Sequence, residues 1–344
     1  MKIKKEVIVA AVAVMILCPS GIEAGAQPKT RFRPDKTVFL YQDSPVVISD
    51  PVQGKEKAAL GLEMPEDNGL TGEEDIPENG NIGNISANAR FDLYFPKKPN
   101  GQMVIVCPGG GYTIVSSYNE GVYVAEWMAA RGITVAVVKY RLPAGHWEVP
   151  LTDVQNTFRY CRAHAAEWGV KQIGVMGFSA GGHLAASATT LYTDDVTRPD
   201  FSILIYPVIA FDQTPSHKGS RYHLIGSDEM WTASEGKTEE QRQADMELHE
   251  ELVTRYTLSN NVTPETPPVF LAHCSDDTTV PVINSIIFYN RLIDNGVSAE
   301  MHIWPEGGHG WGFTSLKYSD WDNFDYARSE FEASLERWLE SQND

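Results

Sequence analysis

The chain has few cysteines for its length. Only 4 of its 344 residues are cysteine, and none has C-x-x-C spacing. A core of this size needs no disulfide, so buried free thiols are the expected state of Cys107, Cys161 and Cys274. No cluster of histidines supplies metal ligands either, and the sequence therefore predicts neither a metal site nor a cofactor.

Positive charge is also scarce. Lys and Arg number 28 against 46 for Asp and Glu, which gives a formal net charge of −18. Phosphate backbones and anionic lipid headgroups repel such a chain, so nucleic acids and membrane surfaces are not expected partners. The same repulsion weighs against strongly acidic polymers as ligands, although salt screens it beyond roughly 10 Å.

The sequence has one long unbroken apolar run, at the amino terminus. Lysines precede residues 7–17, which are all apolar, and Ala24-Gly25-Ala26 follows. This pattern is typical of a secretory signal peptide, and the run is too short for a stable membrane-spanning helix. We therefore predict a signal peptide over residues 1–26 and a secreted or periplasmic protein. A lipoprotein anchor on Cys18 is the alternative, disfavoured because Leu17 stands where a small residue is expected.

Downstream, short apolar stretches alternate with helical patterns. This alternation is typical of an α/β fold with one doubly wound, mostly parallel sheet and helices on both faces. Apolar residues recur at helical spacing between Pro150 and Trp168, again in residues 282–293, and residues 326–339 also have helical character. The predicted strands are residues 92–95, 104–107, 133–139, 172–176, 201–206, 269–273 and 300–304.

Two regions depart from this alternation. Residues 27–85 are acidic and rich in Gly and Pro, which predicts an N-terminal extension with one hairpin formed by residues 37–41 and 46–49. Residues 211–266 lie between two predicted strands and contain a charged helix, which predicts a small lid-like insertion. The main domain is accordingly expected over residues 86–344.

Gly177-Phe178-Ser179-Ala180-Gly181 is the most informative motif. It follows an apolar strand and opens a helical stretch, so the G-x-S-x-G pattern lies on a sharp strand-to-helix turn. On such a turn the serine hydroxyl is exposed above the sheet, and only small neighbours let the turn close. Ser179 is therefore the candidate nucleophile.

A serine hydroxyl needs a base, and the base needs a carboxylate to orient it. Asp276 and Asp277 follow the predicted strand 269–273, and His309 follows the strand 300–304. Loops at the carboxyl ends of parallel strands meet at one edge of the sheet. We therefore expect these side chains to converge on Ser179, in the chain order Ser, Asp, His that this architecture requires.

A glycine-rich loop follows the predicted strand 104–107. Its sequence, Pro108-Gly109-Gly110-Gly111-Tyr112, can bring bare backbone N–H groups close to a substrate. With the N–H of Ala180, the residue after the nucleophile, the loop predicts an oxyanion hole. Each such donor typically contributes about 3 kcal/mol to transition-state stabilisation.

Together these motifs resemble the α/β-hydrolase superfamily, and within it the bacterial acetyl xylan esterase-like and feruloyl esterase-like carbohydrate esterases. The resemblance covers about residues 86–340. It rests on the ordered set Pro108–Tyr112, Val138–Pro143, Gly177–His183, Thr266–Leu271, Asp276–Pro281 and Gly307–Gly310.

The resemblance implies a role for each matched residue. Ser179 is then the nucleophile, His309 the general base and acid, and Asp277 the orienting carboxylate. Asp277 is preferred because it stands three residues before Val280, as in the family, and Asp276 remains the alternative.

The same resemblance places the oxyanion donors on Gly110, Gly111 and Ala180. Related enzymes have a histidine where this chain has Pro108, so any role of that histidine is absent. Two aromatic residues beside these motifs, Tyr112 and Trp311, are candidates for stacking on substrate.

The expected function is a serine esterase that removes small acyl groups, acetyl foremost, from a polysaccharide such as xylan. A serine exopeptidase of the same fold is one alternative, disfavoured because the segment before residue 86 is too short for the propeller that such enzymes carry. A non-catalytic carbohydrate-binding protein is the other, disfavoured because every catalytic part is present. The motifs fix neither the acyl group nor the oligomeric state.

Overall fold

Twelve strands occur in the computed structural model, which describes residues 32–41, 47–49, 56–58, 67–212, 216–314 and 322–343. In chain order they are β1 (Lys36–Phe39), β2 (Val47–Ser49), β3 (Glu56–Ala58), β4 (Asn81–Gly83), β5 (Arg90–Tyr94), β6 (Gln102–Cys107), β7 (Ile114–Ser116), β8 (Thr134–Lys139), β9 (Gln172–Phe178), β10 (Ser202–Ile205), β11 (Val269–Cys274) and β12 (Ala299–Trp304). The predicted signal peptide over residues 1–26, with Cys18, lies outside the described residues.

Eight of these strands form one central sheet, in the order β1-β5-β8-β6-β9-β10-β11-β12. The pairs from β8 to β12 are parallel, whereas β5 pairs antiparallel with both β1 and β8. The mostly parallel sheet that the sequence predicts is therefore confirmed, and each of the seven predicted strands is present in it.

Within the described ranges, eight α-helices connect and cover the strands. They are α1 (Tyr123–Ala129), α2 (Glu148–Trp168), α3 (Ser179–Thr190), α4 (Lys218–Ile225), α5 (Asp228–Thr232), α6 (Glu239–Arg255), α7 (Ile283–Asp294) and α8 (Asp325–Ser341). Among the described residues, none of the helices has the length and apolarity needed to cross a membrane.

The sheet has a hydrophobic core on each face. Along β6, Met103 and Ile105 belong to one core, while Val104 and Val106 belong to the other, because successive side chains point to opposite faces. Helices α2, α3 and α7 contribute to the first core, and α1 and α8 to the second. Burial on both faces explains why the central strands are continuous apolar runs rather than alternating ones.

The N-terminal extension is more closely tied to the sheet than the sequence predicts. Strand β1 pairs with β5, so that Lys36 lies opposite Leu93, while β2 pairs with β3. The predicted hairpin between residues 37–41 and 46–49 is therefore wrong. Strand β1, which precedes residue 86, is also part of the main sheet.

The predicted insertion carries α4, α5 and α6. Its charged helix, α6, begins with a capping box. The Thr238 hydroxyl accepts the Gln241 N–H, and the Gln241 side chain accepts the Thr238 N–H. Helix α4 reaches the glycine-rich loop after β6, where His223 Nδ1 lies 3.0 Å from the carbonyl oxygen of Gly111. The insertion thus contributes to the rim of the region described next.

Candidate active site

Ser179 lies on a sharp turn between β9 and α3. Its φ of 54° falls in the left-handed region, which is strained for a serine. A Cβ built on Gly177 would lie 2.1 Å from the carbonyl oxygen of Gly181, and one on Gly181 would lie 2.2 Å from that of Cys107. Both flanking positions therefore require glycine, which gives the G-x-S-x-G motif its physical basis.

His309 bridges the serine and an aspartate. Its Nε2 lies 2.8 Å from Ser179 Oγ, and its Nδ1 lies 2.6 Å from Asp277 Oδ2. The histidine comes from the loop after β12 and the aspartate from the loop after β11, as the sequence predicts. The three side chains form one continuous hydrogen-bonded chain.

Asp277 is buried and well supplied with donors. Its Oδ1 accepts the backbone N–H groups of Thr279 and Val280, at 2.9 and 2.8 Å. Burial raises the pKa of the carboxyl, but hydrogen bonds from His273, His309 and Val280 and the charge of His309 outweigh it and hold the pKa well below its usual value. Asp277 therefore remains ionised at neutral pH.

The alternative acid, Asp276, has a different set of partners. Its carboxylate accepts the N–H groups of Gly307 and Gly308, at 3.2 and 2.8 Å. These glycines directly precede His309, so Asp276 holds the loop on which the histidine lies. Of these two carboxylates, Asp277 contacts the imidazole and Asp276 does not.

Sequence reasoning missed His273, the second histidine on Asp277. Its Nε2 lies 3.2 Å from Asp277 Oδ2 and 2.9 Å from the Val280 carbonyl, both of which only accept, so this nitrogen carries the proton. Its Nδ1 accepts from Ser285 Oγ at 2.8 Å. A histidine four residues before the acid, at the end of the same strand, was the available signal.

The glycine-rich loop lies against the serine. A Cβ built on Gly109 would lie 3.0 Å from the Cβ of Ser179, and one on Gly110 would lie 2.3 Å from the Ile114 carbonyl oxygen. Within the described part of the chain, the N–H groups of Gly110 and Gly111 donate to no other residue. Ala180 stands in the first turn of α3, where backbone N–H groups lack acceptors within the helix.

The two aromatic candidates are buried. Tyr112 is 1% exposed and its hydroxyl lies 3.0 Å from His183 Nδ1, while Trp311 is 2% exposed and stacks on Phe324 at 4.3 Å. Neither ring has an open face for a sugar, contrary to the prediction, because both rings pack in the interior.

A histidine from the insertion, which the sequence reasoning also missed, lies beside the glycine-rich loop. His217 caps α4 by accepting the Ser220 N–H at Nδ1, so its proton resides on Nε2. Its Cε1 would lie 4.0 Å from a Cβ built on Gly111. Burial and the charges of His309 and His223 lower the pKa of His217, which favours the neutral ring.

The buried thiols are inert and the described residues offer no metal site. Cys107, Cys161 and Cys274 are free and buried, and burial raises the pKa of each thiol, in Cys274 to about 12. Within the ranges that the structure describes, no group of three or more His, Cys, Asp or Glu residues is placed to bind a metal ion.

The mostly parallel sheet, with a hydrogen-bonded serine, histidine and buried aspartate at its carboxyl edge, is the arrangement of the α/β-hydrolase fold. Comparison with known proteins identifies the family. The chain belongs to the BD-FAE family, whose sequence profile matches residues 91–292.

Two curated relatives and two solved structures illustrate the similarity. The chain is 37% identical over 237 residues to an acetylxylan esterase of Xylanibacter ruminicola, covering 67% of this chain and 46% of the relative. It is 28% identical over 244 residues to endo-1,4-beta-xylanase B of Butyrivibrio fibrisolvens, covering 66% and 35%. The chain thus spans less than half the length of these two relatives.

One of the two solved structures is the acetyl ester-xyloside bifunctional hydrolase from Caldicellulosiruptor lactoaceticus. It aligns with a TM-score of 0.62 at 27% sequence identity and covers 90% of this chain and 97% of its own. A carboxylesterase from Lactobacillus plantarum aligns with a TM-score of 0.56 at 22% identity, over 79% of this chain and 98% of its own, and supports the fold alone.

Proposed function

We propose that this protein is a serine carboxylic-ester hydrolase that removes small acyl groups, acetyl foremost, from a polysaccharide such as xylan. The observation that carries the proposal is the unbroken hydrogen-bond chain from Ser179 Oγ through His309 to Asp277, with distances of 2.8 and 2.6 Å. Relatives named acetylxylan esterase and endo-1,4-beta-xylanase support the choice of substrate.

In the first half of the reaction, Ser179 Oγ attacks the acyl carbon of the ester. His309 Nε2 takes the serine proton as the new C–O bond forms. The resulting imidazolium is stabilised by Asp277, which also keeps the Nδ1 proton directed away from the serine. The sugar oxygen then leaves with the proton from Nε2, and the acyl group remains on the serine.

The second half repeats these steps with water. His309 removes a proton from water, whose oxygen attacks the acyl-enzyme, and the serine then leaves with that proton. Both tetrahedral intermediates carry a negative oxygen. The backbone N–H groups of Gly110, Gly111 and Ala180 are the proposed donors to it, each contributing about 3 kcal/mol.

Substitution of the serine tests the nucleophile. Ser179→Ala is expected to lower kcat by at least about 10⁴-fold on acetylated xylan and on nitrophenyl acetate, since removal of such a serine disables the whole triad. The matched control is Ser275→Ala, at an exposed serine in the loop after β11 that carries Asp276 and Asp277 (the acid loop), and it is expected to retain wild-type turnover. Undiminished turnover in Ser179→Ala would end the assignment.

A substrate panel tests the acyl group. Acetyl, butyryl and feruloyl esters of one alcohol are compared by kcat/KM, together with release of acetate from acetylated xylan. We expect the highest kcat/KM on the acetyl ester. A preference for the feruloyl ester, or release of acetate only from the nitrophenyl compound, would contradict the proposed substrate while leaving the esterase mechanism intact.

We also propose that the protein acts outside the cytoplasm, after removal of residues 1–26. The supporting pattern is the basic start, the apolar run of residues 7–17 and the Ala24-Gly25-Ala26 site. Expression of the full chain in a Gram-negative host, followed by amino-terminal sequencing, is expected to give Gln27 as the first residue of the periplasmic protein. A chain that begins at Met1, or a lipidated Cys18, would contradict it.

A further inference from the structure

A buried carboxyl that the triad does not use lies beside the glycine-rich loop. Glu120 belongs to the π-helical turn Tyr118–Val122, directly before α1, and is 4% exposed. Within the described residues, no lysine or arginine forms an ion pair with it. Burial raises its pKa, whereas hydrogen bonds from Tyr206 and Gly109 and the charge of His309 act in the opposite direction. A buried carboxyl without a cation is costly, so its retention calls for a reason.

Its first contact is with the glycine-rich loop. Glu120 Oε2 accepts the N–H of Gly109 at 2.7 Å. Gly109 immediately precedes Gly110, whose N–H is a proposed donor to the oxyanion. The hydrogen bond to Glu120 therefore orients the backbone of the glycine-rich loop just before that donor. A Cβ built on Gly109 would lie 2.9 Å from Glu120 Oε2 and 3.0 Å from the Cβ of Ser179, which places the carboxylate, the loop and the serine together.

Its second contact leads to the histidine. Glu120 Oε1 accepts the hydroxyl proton of Tyr206 at 2.9 Å, and the same hydroxyl oxygen accepts the N–H of Gly312 at 2.9 Å. Gly312 follows His309 in the loop after β12. The Tyr206 ring also packs against the imidazole, with ring centroids 4.7 Å apart.

We propose that Glu120 is a positioning residue for ester hydrolysis: through Gly109 and through Tyr206 it holds the glycine-rich loop and the loop after β12, which carries His309, in one fixed relative position. The inference rests on the proposed function. The two loops come from opposite sides of Ser179 and both must be in place when the oxyanion forms. A displacement of about 1 Å at such a site is enough to cost about 100-fold in rate.

Glu120→Gln is the first test. The side chain keeps its size, but the amide NH2 that replaces one carboxylate oxygen only donates, so either Gly109 or Tyr206 loses the acceptor that it has in the wild type. We expect kcat on nitrophenyl acetate to fall about 10- to 100-fold while KM changes by less than about threefold, because the substrate still binds but the loops are misaligned. Rates are measured well below the thermal unfolding midpoint of each variant, so that a loss of stability alone leaves kcat unchanged.

Tyr206→Phe and the double variant test the connection. Tyr206→Phe keeps the ring against His309 but removes the hydroxyl, and is expected to lower kcat about 3- to 10-fold. Both residues act through one chain of hydrogen bonds. We therefore expect the kcat of the double variant Glu120→Gln/Tyr206→Phe to lie no more than about twofold below that of Glu120→Gln. Glu330→Gln, an exposed glutamate on α8, is the control and keeps wild-type rates.

Three outcomes would overturn the inference: wild-type kcat in folded Glu120→Gln, a parallel rise in KM that accounts for the whole effect, or fully multiplicative losses in the double variant. Ser179→Ala is assayed alongside. If Ser179→Ala is inactive while Glu120→Gln is unimpaired, the esterase proposal stands and only the role of Glu120 falls. If Ser179→Ala remains active, the esterase proposal itself fails.

Discussion

Two buried carboxyls flank the proposed catalytic centre, and their surroundings differ. Asp277, on the acid loop, accepts hydrogen bonds from two histidine rings and two backbone N–H groups, and its pKa is held well below the usual value. Glu120, beside the glycine-rich loop, accepts one N–H and one O–H, and burial raises its pKa. Burial raises the pKa of both carboxyls, and only at Asp277 do the hydrogen bonds and the charge of His309 outweigh it.

The largest effect is expected at the acid loop. Asp277→Asn keeps the shape of the side chain but permits the wrong tautomer of His309, and a loss of about 10⁴-fold in kcat is expected. Asp276→Asn is the matched control. Its amide oxygen can still accept from Gly307 or Gly308, so the expected loss is about 10-fold or less. Steady-state kinetics on nitrophenyl acetate measures both, and equal losses would contradict the assignment of the acid.

The loss expected in Glu120→Gln, about 10- to 100-fold, is smaller because its carboxylate acts on loops rather than on the imidazole itself. A kcat of Glu120→Gln as low as that of Asp277→Asn would contradict this difference. In that case Glu120 would belong to the proton-transfer machinery and the distinction between the two carboxyls would disappear.

Substitution of His273, the second histidine on Asp277, is expected to have a smaller effect on kcat again. His273→Leu removes one donor to Asp277 and leaves the Val280 carbonyl without its partner, so we expect kcat to fall about 10-fold. His273→Gln retains an amide donor and should recover part of the loss. Kinetics of the pair tests this, and identical rates in the Leu and Gln variants would show that the donor is unimportant.

The two carboxyls should also differ in how they link stability to pH. The folded-state pKa of Asp277 is depressed. Its ionised carboxylate therefore contributes to stability above its unfolded pKa of about 4, and this contribution is lost as the pH falls below that value. The folded-state pKa of Glu120 is raised, so stability is lost as the pH rises above about 4.3.

Urea unfolding between pH 3 and pH 7 measures this difference. We expect the free energy of unfolding of the wild type to exceed that of Asp277→Asn by an amount that grows as the pH rises. The corresponding difference between the wild type and Glu120→Gln is expected to shrink as the pH rises. The expected changes are on the order of 1 kcal/mol, since one pKa unit corresponds to about 1.4 kcal/mol. Parallel pH dependences in the two variants would contradict the comparison.

The triad was accessible to sequence reasoning because local rules place its members. Gly177 and Gly181 are dictated by close backbone contacts around Ser179, and the acid and base each follow an apolar strand. Since parallel strands end at one edge of the sheet, their loops meet there without further information. That is why the fold class and the approach of Asp277 and His309 to the serine could be predicted.

Long-range contacts explain what the sequence did not reveal. The 4-residue strand β1 pairs with β5 across 55 residues at Thr37 and Asp92, and no local pattern specifies that partner. Glu120 acquires its role from Tyr206, 86 residues away. The burial of Tyr112 and Trp311 likewise depends on which rings pack around them, which flanking motifs do not encode.

Covalent labelling identifies which serine of the protein is activated. A fluorophosphonate reacts with a serine whose proton is removed by a neighbouring base, so peptide mapping by mass spectrometry identifies the activated residue. We expect a stoichiometric adduct on Ser179, with much slower labelling in Asp277→Asn. An adduct on another residue, or continued ester hydrolysis by protein whose Ser179 is quantitatively modified, would contradict it.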